Sequence, residues 1–498
     1  MPEYIRALVV ILILAGLIFF FTSRLTIGIV SAADNSRRRN LWIGMTLVAF
    51  LSHSFWLYAL VFCLTTYIVS QREDNRSALF LFLLFIVPNN SIQISGLGAI
   101  NYLFELNHSR LLVLVVLLPM FFTLIRRSNT PRIGHFWQDR FLLVFLLLVT
   151  IMQLRATTLT DSLRLGFYAF TDVFLPYYVL SRTLRDLDGF RNALWGFIIA
   201  AMILAAIGFF ELSRHWLLYN AVVGALGLKS SSFGYLDRAG LLRASASTGH
   251  PIALGYVMVV AIAFYAYLKD DVRSRLNRRI GGLVLAVGLI APLSRGPWVG
   301  AVASLATFIW TGPHAFKRLV SLAMIGTLAF ATAAVLPGGE KVVQLLPFVG
   351  KIEKYNIDYR ESLLANATIV IKRNPLFGSV DYLTAPEMER MRQGEGIIDI
   401  VNTYIGIALE YGLVGLGLFV GFFVLILNGI YKAMRESRSR DDEMYRLGRA
   451  LLAALVGILV TIFTVSSITI IPIVYWSVAG LGVAYIQIAY RRKKSNLA

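Results

Sequence analysis

Charged residues are scarce in this chain of 498 residues: Asp, Glu, Lys and Arg together make up 15%, whereas hydrophobic residues make up 57%. The mean hydropathy is +0.69. So few charges exclude a water-soluble globule, and the composition predicts a polytopic membrane protein. A backbone that crosses lipid must satisfy its own hydrogen bonds, and the apolar runs are mostly about 20 residues long. The predicted fold class is therefore an all-α helix bundle.

Cysteine is nearly absent, since Cys63 is the single one, and this excludes a disulfide within the chain. Acidic residues number 28 against 47 basic ones, which gives a formal net charge of +19. The excess lies in short clusters between apolar runs and not in one patch. We interpret these clusters as cytoplasmic loops that follow the positive-inside rule, and we expect no nucleic-acid partner. The alternative for the clusters is a dedicated site for anionic lipid.

The apolar runs predict about 13 to 15 membrane helices. Residues 7–22 are similar to the core of a signal peptide, but Arg24 and further spans follow, so we expect a first membrane helix there. The later spans are predicted at roughly 41–70 (as one helix or as two short helices broken near "SHS"), 77–88, 110–125, 136–152, 165–181, 190–212, 249–268, 280–293, 297–312, 318–336, 403–431, 448–466 and 470–490.

The basic loops also predict which side of the membrane each segment faces. A basic C-terminal tail places the C-terminus in the cytoplasm, so the segments between alternate spans face the opposite side. We divide the chain into N-terminal membrane helices, a central membrane region with extracytoplasmic arginines, a large periplasmic loop that contains an amphipathic helix, and C-terminal membrane helices with a basic tail. These parts cover residues 1–212, 213–336, 337–401 and 402–498.

Three arginines fall on the extracytoplasmic side, where the positive-inside rule gives no reason for them. Arg243 lies in "LLRASASTGHPIALGY", Arg295 in "APLSRGPWVG" and Arg360 in "YRESLLANATIVIKRNPLFG". A charge at a helix end within a membrane bundle is costly unless it has a partner or a function, so we predict that these three bind substrate. The alternative for each is an interfacial anchor or a structural ion pair.

The large loop has an amphipathic helix of its own. Apolar residues recur with helical spacing from Leu363 to Ile371, and Asn374-Pro375 ends the pattern. Arg360 and Arg373 belong to this helix and would point toward the head groups or a cavity beneath it. Guanidinium groups pair bidentately with phosphate oxygens, so the arginines suit a phosphate or diphosphate ligand, with Arg373 as a weaker fourth candidate.

The segment from about Arg243 to Gly415 resembles the O-antigen ligase and polymerase superfamily of membrane glycosyltransferases. The matching motifs are "RASASTGHPIALGY", "LSRGPWVG", the loop helix, and "VNTYIGIALEYGLVG" after the large loop. The resemblance implies a multi-pass protein of the bacterial inner membrane with its active site on the periplasmic face. It also implies a donor glycan linked to undecaprenyl diphosphate, which the arginines would bind without a metal or other cofactor.

The final motif departs from the ligases at one position. In the ligases this motif resembles a His followed by Asn, Ser or Gln, then nine residues, then Gly-x-x-Gly. Here Asn402, Gly412 and Gly415 fit that pattern. The histidine position is Val401, which cannot transfer a proton. The departure favours a polymerase or a more distant exopolysaccharide branch.

The same motif begins a membrane helix. Asn402 and Thr403 are suited to capping its first amides, and by resemblance Asn402 and Tyr404 border the active cavity and contact substrate. Gly406, Gly412, Gly415 and Gly417 predict a small-residue face for helix packing. Glu410 is predicted to be either the partner of an arginine or a structural hydrogen-bonding group.

A base for the acceptor hydroxyl has three candidates. His250, in "TGHPI" near Arg243, has an imidazole suited to proton transfer, and its alternative role is that of a helix cap. Asp399 and Glu395 lie just upstream of the missing histidine and could replace it as the base. The alternative is that both are solvated loop carboxylates with no catalytic role. The "DLD" at Asp186–Asp188 is similar to a nucleotide-sugar motif, and we interpret it as a chance match.

These observations predict a polymerase of undecaprenyl-diphosphate-linked repeat units for a surface polysaccharide, either O-antigen or exopolysaccharide. A ligase that transfers the finished glycan to a lipid A core or another acceptor is the first alternative. A flippase for lipid-linked oligosaccharide is the second, but its expected repeat and short outer loops are not evident. A structural subunit of an export machine is the third. The expected partners are the lipid-linked oligosaccharides, the bilayer, and other assembly and export proteins.

Overall fold

The structure is a computed structural model that describes residues 1–96, 101–156, 158–228, 234–335, 354–393, 396–437, 439 and 442–497. Helices dominate this part of the chain, and its strands form two small antiparallel hairpins. The all-α prediction is confirmed. One hairpin pairs β1 (Ile92–Ser95) with β2 (Tyr102–Leu106), and the other pairs β3 (Asp237–Arg238) with β4 (Leu241–Leu242).

The helices follow the predicted apolar runs closely. In chain order they are α1 (Glu3–Leu25), α2 (Ala32–Leu51), α3 (Phe55–Gln71), α4 (Arg76–Leu83), α5 (His108–Arg126), α6 (Trp137–Ala156), α7 (159–183), α8 (Leu187–Arg214), α9 (Asn220–Ala225), α10 (Pro251–Leu268), α11 (Arg275–Ile290), α12 (Arg295–Trp310), α13 (Ala315–Val335), α14 (Lys354–Arg373), α15 (Pro386–Glu389), α16 (Thr403–Arg435), α17 (Glu443–Phe463) and α18 (Ile471–Leu497). The run at 41–70 is two helices, because Ser54 caps α3 and His53 has a positive φ.

Eight helices in the described ranges are long and apolar enough to cross a membrane: α1, α5, α6, α8, α10, α16, α17 and α18. This confirms a polytopic membrane protein. The predicted total of about 13 to 15 spans stays a prediction. Helix α5 contains a π-helical turn at Val113–Leu117 and α7 contains one at Ala169–Phe174.

The helices alternate in direction, and contacts between segments define two ends of the bundle. We call one the loop end, formed by residues 215–228, 234–250, 291–294, 374–393, 396–402 and 464–470. It is held together by bonds such as that from the Thr403 amide to the Val465 carbonyl, 3.1 Å. The other is the tail end, formed by residues 127–136, 184–186, 272–274, 436–437 and the C-terminal end of α18. There Lys493 pairs with Glu436 at 2.8 Å.

Small residues allow α12 to pack closely against α17. A Cβ on Gly296 would overlap the hydroxyl of Thr464, and one on Gly300 would overlap that of Thr461. Such close approach is the usual basis of helix association in membranes, where lipid removes the hydrophobic driving force. It fixes Arg295, the first residue of α12, beside the C-terminal end of α17.

Several arginines of the bundle are occupied by structural ion pairs. Arg182 pairs with the buried carboxylate of Asp139, which also accepts the hydroxyl of Tyr177 at 2.7 Å. Arg110 pairs with Asp172 at 2.8 Å. A buried charge needs such a partner, so we assign Arg182 and Arg110 a structural role.

Candidate active site

The loop that carries Arg243 is bonded to the turn between α11 and α12. Arg243 donates from Nη2 to the Ser294 hydroxyl at 2.9 Å and from Nε to the Pro292 carbonyl at 3.3 Å. Arg238 donates from Nη1 to the Leu293 carbonyl at 2.6 Å. These bonds bring two guanidinium groups to the residues that immediately precede Arg295.

Arg238, Arg243 and Arg295 form a cluster of like charges, which we call the arginine cluster. Burial, together with the charges of Arg238 and Arg295, lowers the pKa of Arg243 to about 10. Within the described part of the chain, Arg238 and Arg243 bond to carbonyl and hydroxyl oxygens and not to carboxylates. Mutual repulsion of this kind costs free energy that an anionic ligand would recover.

The loop is held in place by a buried carboxylate that sequence reasoning missed. Glu211, at 0% exposure in α8, accepts the amides of Leu218, Ser245 and Ala246 at 3.1, 3.0 and 2.8 Å. Ala246 has a φ of +45° and Leu293 a φ of +47°, a conformation that costs most residues about 1 kcal/mol or more. Strained backbone therefore lies on both sides of the arginine cluster.

Arg360 approaches the same region from the large loop. Its Nη2 donates to the Thr464 carbonyl at 3.0 Å, at the C-terminal end of α17. Thr464 is also the residue against which Gly296 packs, so the segments that carry Arg295 and Arg360 both contact it. Among the three arginines named from the sequence, the structure places Arg243 and Arg295 in one cluster with Arg238, and Arg360 bonds to Thr464, against which α12 packs. Arg238 lies in the predicted extracytoplasmic segment, so the sidedness argument used for Arg243 also applied to it.

A mostly apolar cavity of about 400 Å³ extends from Arg360 between α14 and α16. Arg360, Asn402, Tyr404 and Thr464 contribute its polar groups, and its other lining residues are Leu363, Leu364, Ile371, Val401, Ile405, Ala408, Leu413, Leu416 and Phe463. The volume is within the usual range for small-molecule sites. An apolar cavity with a guanidinium group fits an amphiphile that has an anionic head.

Asp399 faces Arg360 in this cavity region. Ser466 donates to its Oδ1 at 3.2 Å, and the Tyr359 hydroxyl bonds both its carbonyl, at 3.0 Å, and its amide, at 3.2 Å. The side chain keeps exposed surface, but the neighbouring residues partly desolvate the carboxyl. This desolvation raises the pKa of Asp399 above its ordinary value of 3.8, while Ser466 and Arg360 act in the opposite direction. A raised pKa makes the carboxylate a stronger base.

The start of α16 agrees with the capping prediction in part. The Oδ1 of Asn402 accepts the amides of Tyr404 and Ile405 at 2.9 and 3.2 Å, so Asn402 is the N-cap. Thr403 instead donates its hydroxyl to the Val465 carbonyl at 2.8 Å. Tyr404 donates to the Leu459 carbonyl at 3.1 Å and lines the cavity with Asn402. Substrate contact by either residue stays a prediction.

His250 is the N-cap of α10, which is the structural alternative considered for it. Its Nδ1 accepts the Ile252 amide at 3.2 Å. Burial, and then the charge of Arg243, lowers the pKa of His250 to about 4. The imidazole is therefore neutral at physiological pH, but a group with that pKa is a weak base.

The two remaining candidate residues are Arg373 and Glu395. Arg373 is 13 residues beyond Arg360 on α14, roughly 20 Å along the helix axis. It forms a bidentate ion pair with Glu387, in which Nη1 donates to Oε2 at 2.9 Å. It is thereby separated from the other three arginines, and its phosphate role stays a prediction. Glu395 lies outside the described residues.

Gly412 has a different structural role from the helix packing that the sequence predicted. Gly412 has φ +68° and ψ −170° and breaks α16. The segment "NPLFG" fills the break: the amides of Leu413 and Val414 donate to the Pro375 and Leu376 carbonyls at 2.8 and 3.1 Å. Gly412 is therefore a break in the helix and not a helix-packing residue, and a Cβ on Gly417 would meet nothing within 4 Å. The predicted packing face is wrong for these two glycines.

Glu410 lies beside this break and acts as a hydrogen-bonding group. Its Oε1 accepts the side-chain amide of Gln153 at 3.0 Å and the hydroxyl of Tyr411 at 2.6 Å. The structural alternative is thus the one observed among the described residues. The bond from Gln153 links α6 to α16 near the cavity.

The fold and this site define a class: a polytopic helical membrane protein with arginines and an apolar cavity at one end. Residues 280–420 match the O-antigen ligase family model. The match confirms the resemblance to the O-antigen ligase and polymerase superfamily, and it indicates a membrane enzyme of glycosyltransferase type. It includes Arg295, Arg360 and Asp399, whereas Arg238, Arg243 and His250 precede it. A comparison with curated proteins gives no significant match.

Proposed function

We propose that this chain polymerises undecaprenyl-diphosphate-linked repeat units of a bacterial surface polysaccharide. The supporting observation is the arginine cluster: Gly296, which follows Arg295, packs against Thr464, and Arg360 at the apolar cavity bonds to the same residue. The diphosphate of the donor would bind the guanidinium groups, and the start of its polyprenyl chain would occupy the cavity. In this proposal the loop end faces the periplasm and the C-terminal tail the cytoplasm of an inner-membrane protein.

The reaction transfers a glycosyl group to a sugar hydroxyl. The acceptor oxygen bonds to the anomeric carbon, the bond from that carbon to the phosphate oxygen breaks, and the polyprenyl diphosphate leaves with the electron pair. The transition state resembles an oxocarbenium ion, and the arginines stabilise the charge that develops on the leaving group. The same guanidinium groups make a metal unnecessary for this neutralisation.

Asp399 is the base that we propose for the acceptor proton. It lies two residues before Val401, which lines the cavity where the ligases have a histidine. Its pKa is raised by desolvation, whereas that of His250 is lowered to about 4. Among the candidates in the described part of the chain, Asp399 is thus the better proton acceptor near Arg360.

Asp399→Asn is expected to lower the transfer rate by roughly 100-fold to 10,000-fold, the usual range for loss of a general base. The base must be ionised, so the wild-type rate should fall as the pH drops through a value above 3.8, and this acid limb should vanish in the variant. The measurement is the rate against pH for both proteins. Asp358→Asn, an exposed carboxylate on α14, is the control and should keep the wild-type profile.

His250→Asn separates the two roles of His250, because asparagine is also a good N-cap. If His250 is only a cap, the variant should retain transfer within about threefold and lose little stability. A loss as large as that of Asp399→Asn would move the base assignment to His250.

The ligase is the second candidate, and the description of the matching family favours it. The two functions differ in the acceptor, which is a second lipid-linked unit for the polymerase and another molecule, such as a lipid A core, for the ligase. Gel analysis of lipid-linked and surface glycan from cells that lack this chain separates them. Complementation uses wild type, Arg360→Ala and the control Arg392→Ala, which removes an exposed loop arginine paired with Glu389.

The polymerase predicts single repeat units on the carrier in the deletion, a ladder with wild type and Arg392→Ala, and no ladder with membrane-inserted Arg360→Ala. Long chains that accumulate on the carrier in the deletion would show the ligase instead. A normal ladder without the chain would contradict both functions.

A further inference from the structure

The tail end has two neighbouring cavities that take no part in the candidate active site. One, of about 790 Å³, lies between the start of α6 and the end of α18 and has Phe136, Ile486 and Tyr490 among its lining residues. The other, of about 720 Å³, is lined largely by polar residues and includes Arg127 and Arg185. An apolar cavity beside a polar cavity that contains arginines suits a ligand with one apolar and one charged part.

Three arginines from separate segments line these two cavities. Arg127 follows α5, Arg185 lies in the turn before α8, and Arg491 lines the apolar cavity from α18. Arg127 and Arg185 line the polar cavity together, and Asn129, two residues after Arg127, lines the apolar cavity with Arg491. Burial lowers the pKa of Arg185, and the charges of Arg491 and Arg127 lower it further. Within the described ranges, the side chains of these three arginines form neither hydrogen bonds nor ion pairs.

The neighbouring carboxylates are already engaged. Asp186 accepts the Gly189 amide at 2.7 Å as the N-cap of α8, Asp188 pairs with Arg191 at 2.8 Å, and Glu436 pairs with Lys493 at 2.8 Å. Glu73, which pairs with Arg38, also lines the polar cavity. Asp74 and Asp186 line it too and keep their negative charges, against the positive charges of Arg76, Arg127, Arg185 and Arg491. The place therefore keeps a net positive charge beside an apolar cavity.

We propose that the tail end binds an anionic phospholipid, with its phosphate among Arg127, Arg185 and Arg491 and one acyl chain beside Phe136 and Ile486. Guanidinium groups match phosphate oxygens, and basic pockets between membrane helices bind anionic head groups. Trp137 and Tyr490 support this, because they are 65% and 70% exposed and such aromatic side chains favour the head-group layer. The site is separate from the proposed glycosyl transfer.

The test titrates the full purified chain, in an uncharged detergent, with dioleoyl phosphatidylglycerol and follows its thermal midpoint. Dioleoyl phosphatidylcholine, glycerophosphoglycerol and inorganic phosphate are the comparison ligands. The variant R127Q/R185Q/R491Q is compared with R273Q/R275Q/R279Q, which removes three exposed arginines from the loop between α10 and α11 and the start of α11. The two variants lose the same charge at the same end.

Phosphatidylglycerol should raise the midpoint of wild type and of the control at similar concentrations, and the other three ligands should not. Each basic group contributes about a fivefold factor at an anionic surface, so the cluster variant should need roughly 100-fold more lipid. Arg491→Gln alone, on the exposed end of α18, should need about fivefold more and covers the case in which the triple variant does not fold. Equal titration of the cluster variant and wild type, or an equal shift with inorganic phosphate, would overturn the lipid site.

Discussion

Arg243→Ala is expected to lower glycosyl transfer by roughly 100-fold to 1,000-fold, the usual loss when one preorganised donor to a developing anion is removed. Arg243 is the most constrained member of the arginine cluster, since Pro292 and Ser294 fix its guanidinium group and two other arginines lie near it. Lysine at this position keeps the charge but not the planar fork, so Arg243→Lys should recover only part of the rate. The measurement is transfer from a purified lipid-linked donor.

Two controls separate the effect of losing the charge of Arg243 from the effect of losing its hydrogen bond to Ser294. Ser294→Ala removes the 2.9 Å hydrogen bond without removing a charge and should retain most of the activity. Arg214→Ala removes an exposed arginine at the same end of the bundle and should leave the rate unchanged. If Ser294→Ala loses as much activity as Arg243→Ala at normal stability, Arg243 acts by positioning the loop and not by binding the diphosphate.

Gly412→Ala is expected to destabilise the protein by about 3 kcal/mol or more. The added Cβ would overlap the carbonyl of Leu376, and the conformation at φ +68° and ψ −170° is accessible essentially to glycine alone. Neither the loop nor α16 can move away without losing the bonds from Leu413 and Val414. Thermal unfolding of the purified protein in detergent measures the effect.

Gly417→Ala is the matched control, five residues further along the same helix. Its Cβ would meet no atom within 4 Å, and alanine favours a helix over glycine by about 1 kcal/mol, so this variant should be as stable as wild type or slightly more so. Equal stability of Gly412→Ala and Gly417→Ala would contradict the docking of "NPLFG" into the helix break.

Much of the fold follows from local sequence signals. Apolar runs place the helices, Asn402 is recognisable as a cap, and the amphipathic pattern locates α14 and its end before Pro375. These features depend on residues within a few positions of one another, which a single sequence displays directly.

The unpredicted features depend on contacts between distant segments. From the sequence alone Gly412 is interpreted as a packing residue. The carbonyls of Pro375 and Leu376, which occupy the helix break beside it, belong to a distant segment of the chain. Glu211 reads as an isolated acid in a membrane helix, because its partners Ser245 and Ala246 lie more than 30 residues away. Arg373 shares its residue type and helix with Arg360, and only the fold shows that Glu387 pairs with it.

The most direct test of the polymerase places the purified chain in proteoliposomes with a single substrate, one lipid-linked repeat unit, and no other acceptor. The proposal predicts a ladder of lipid-linked products of increasing length with wild type, and single units with Arg243→Ala. Unchanged single units with active, correctly folded wild type, together with transfer once a lipid A core is added, would contradict the polymerase and establish the ligase.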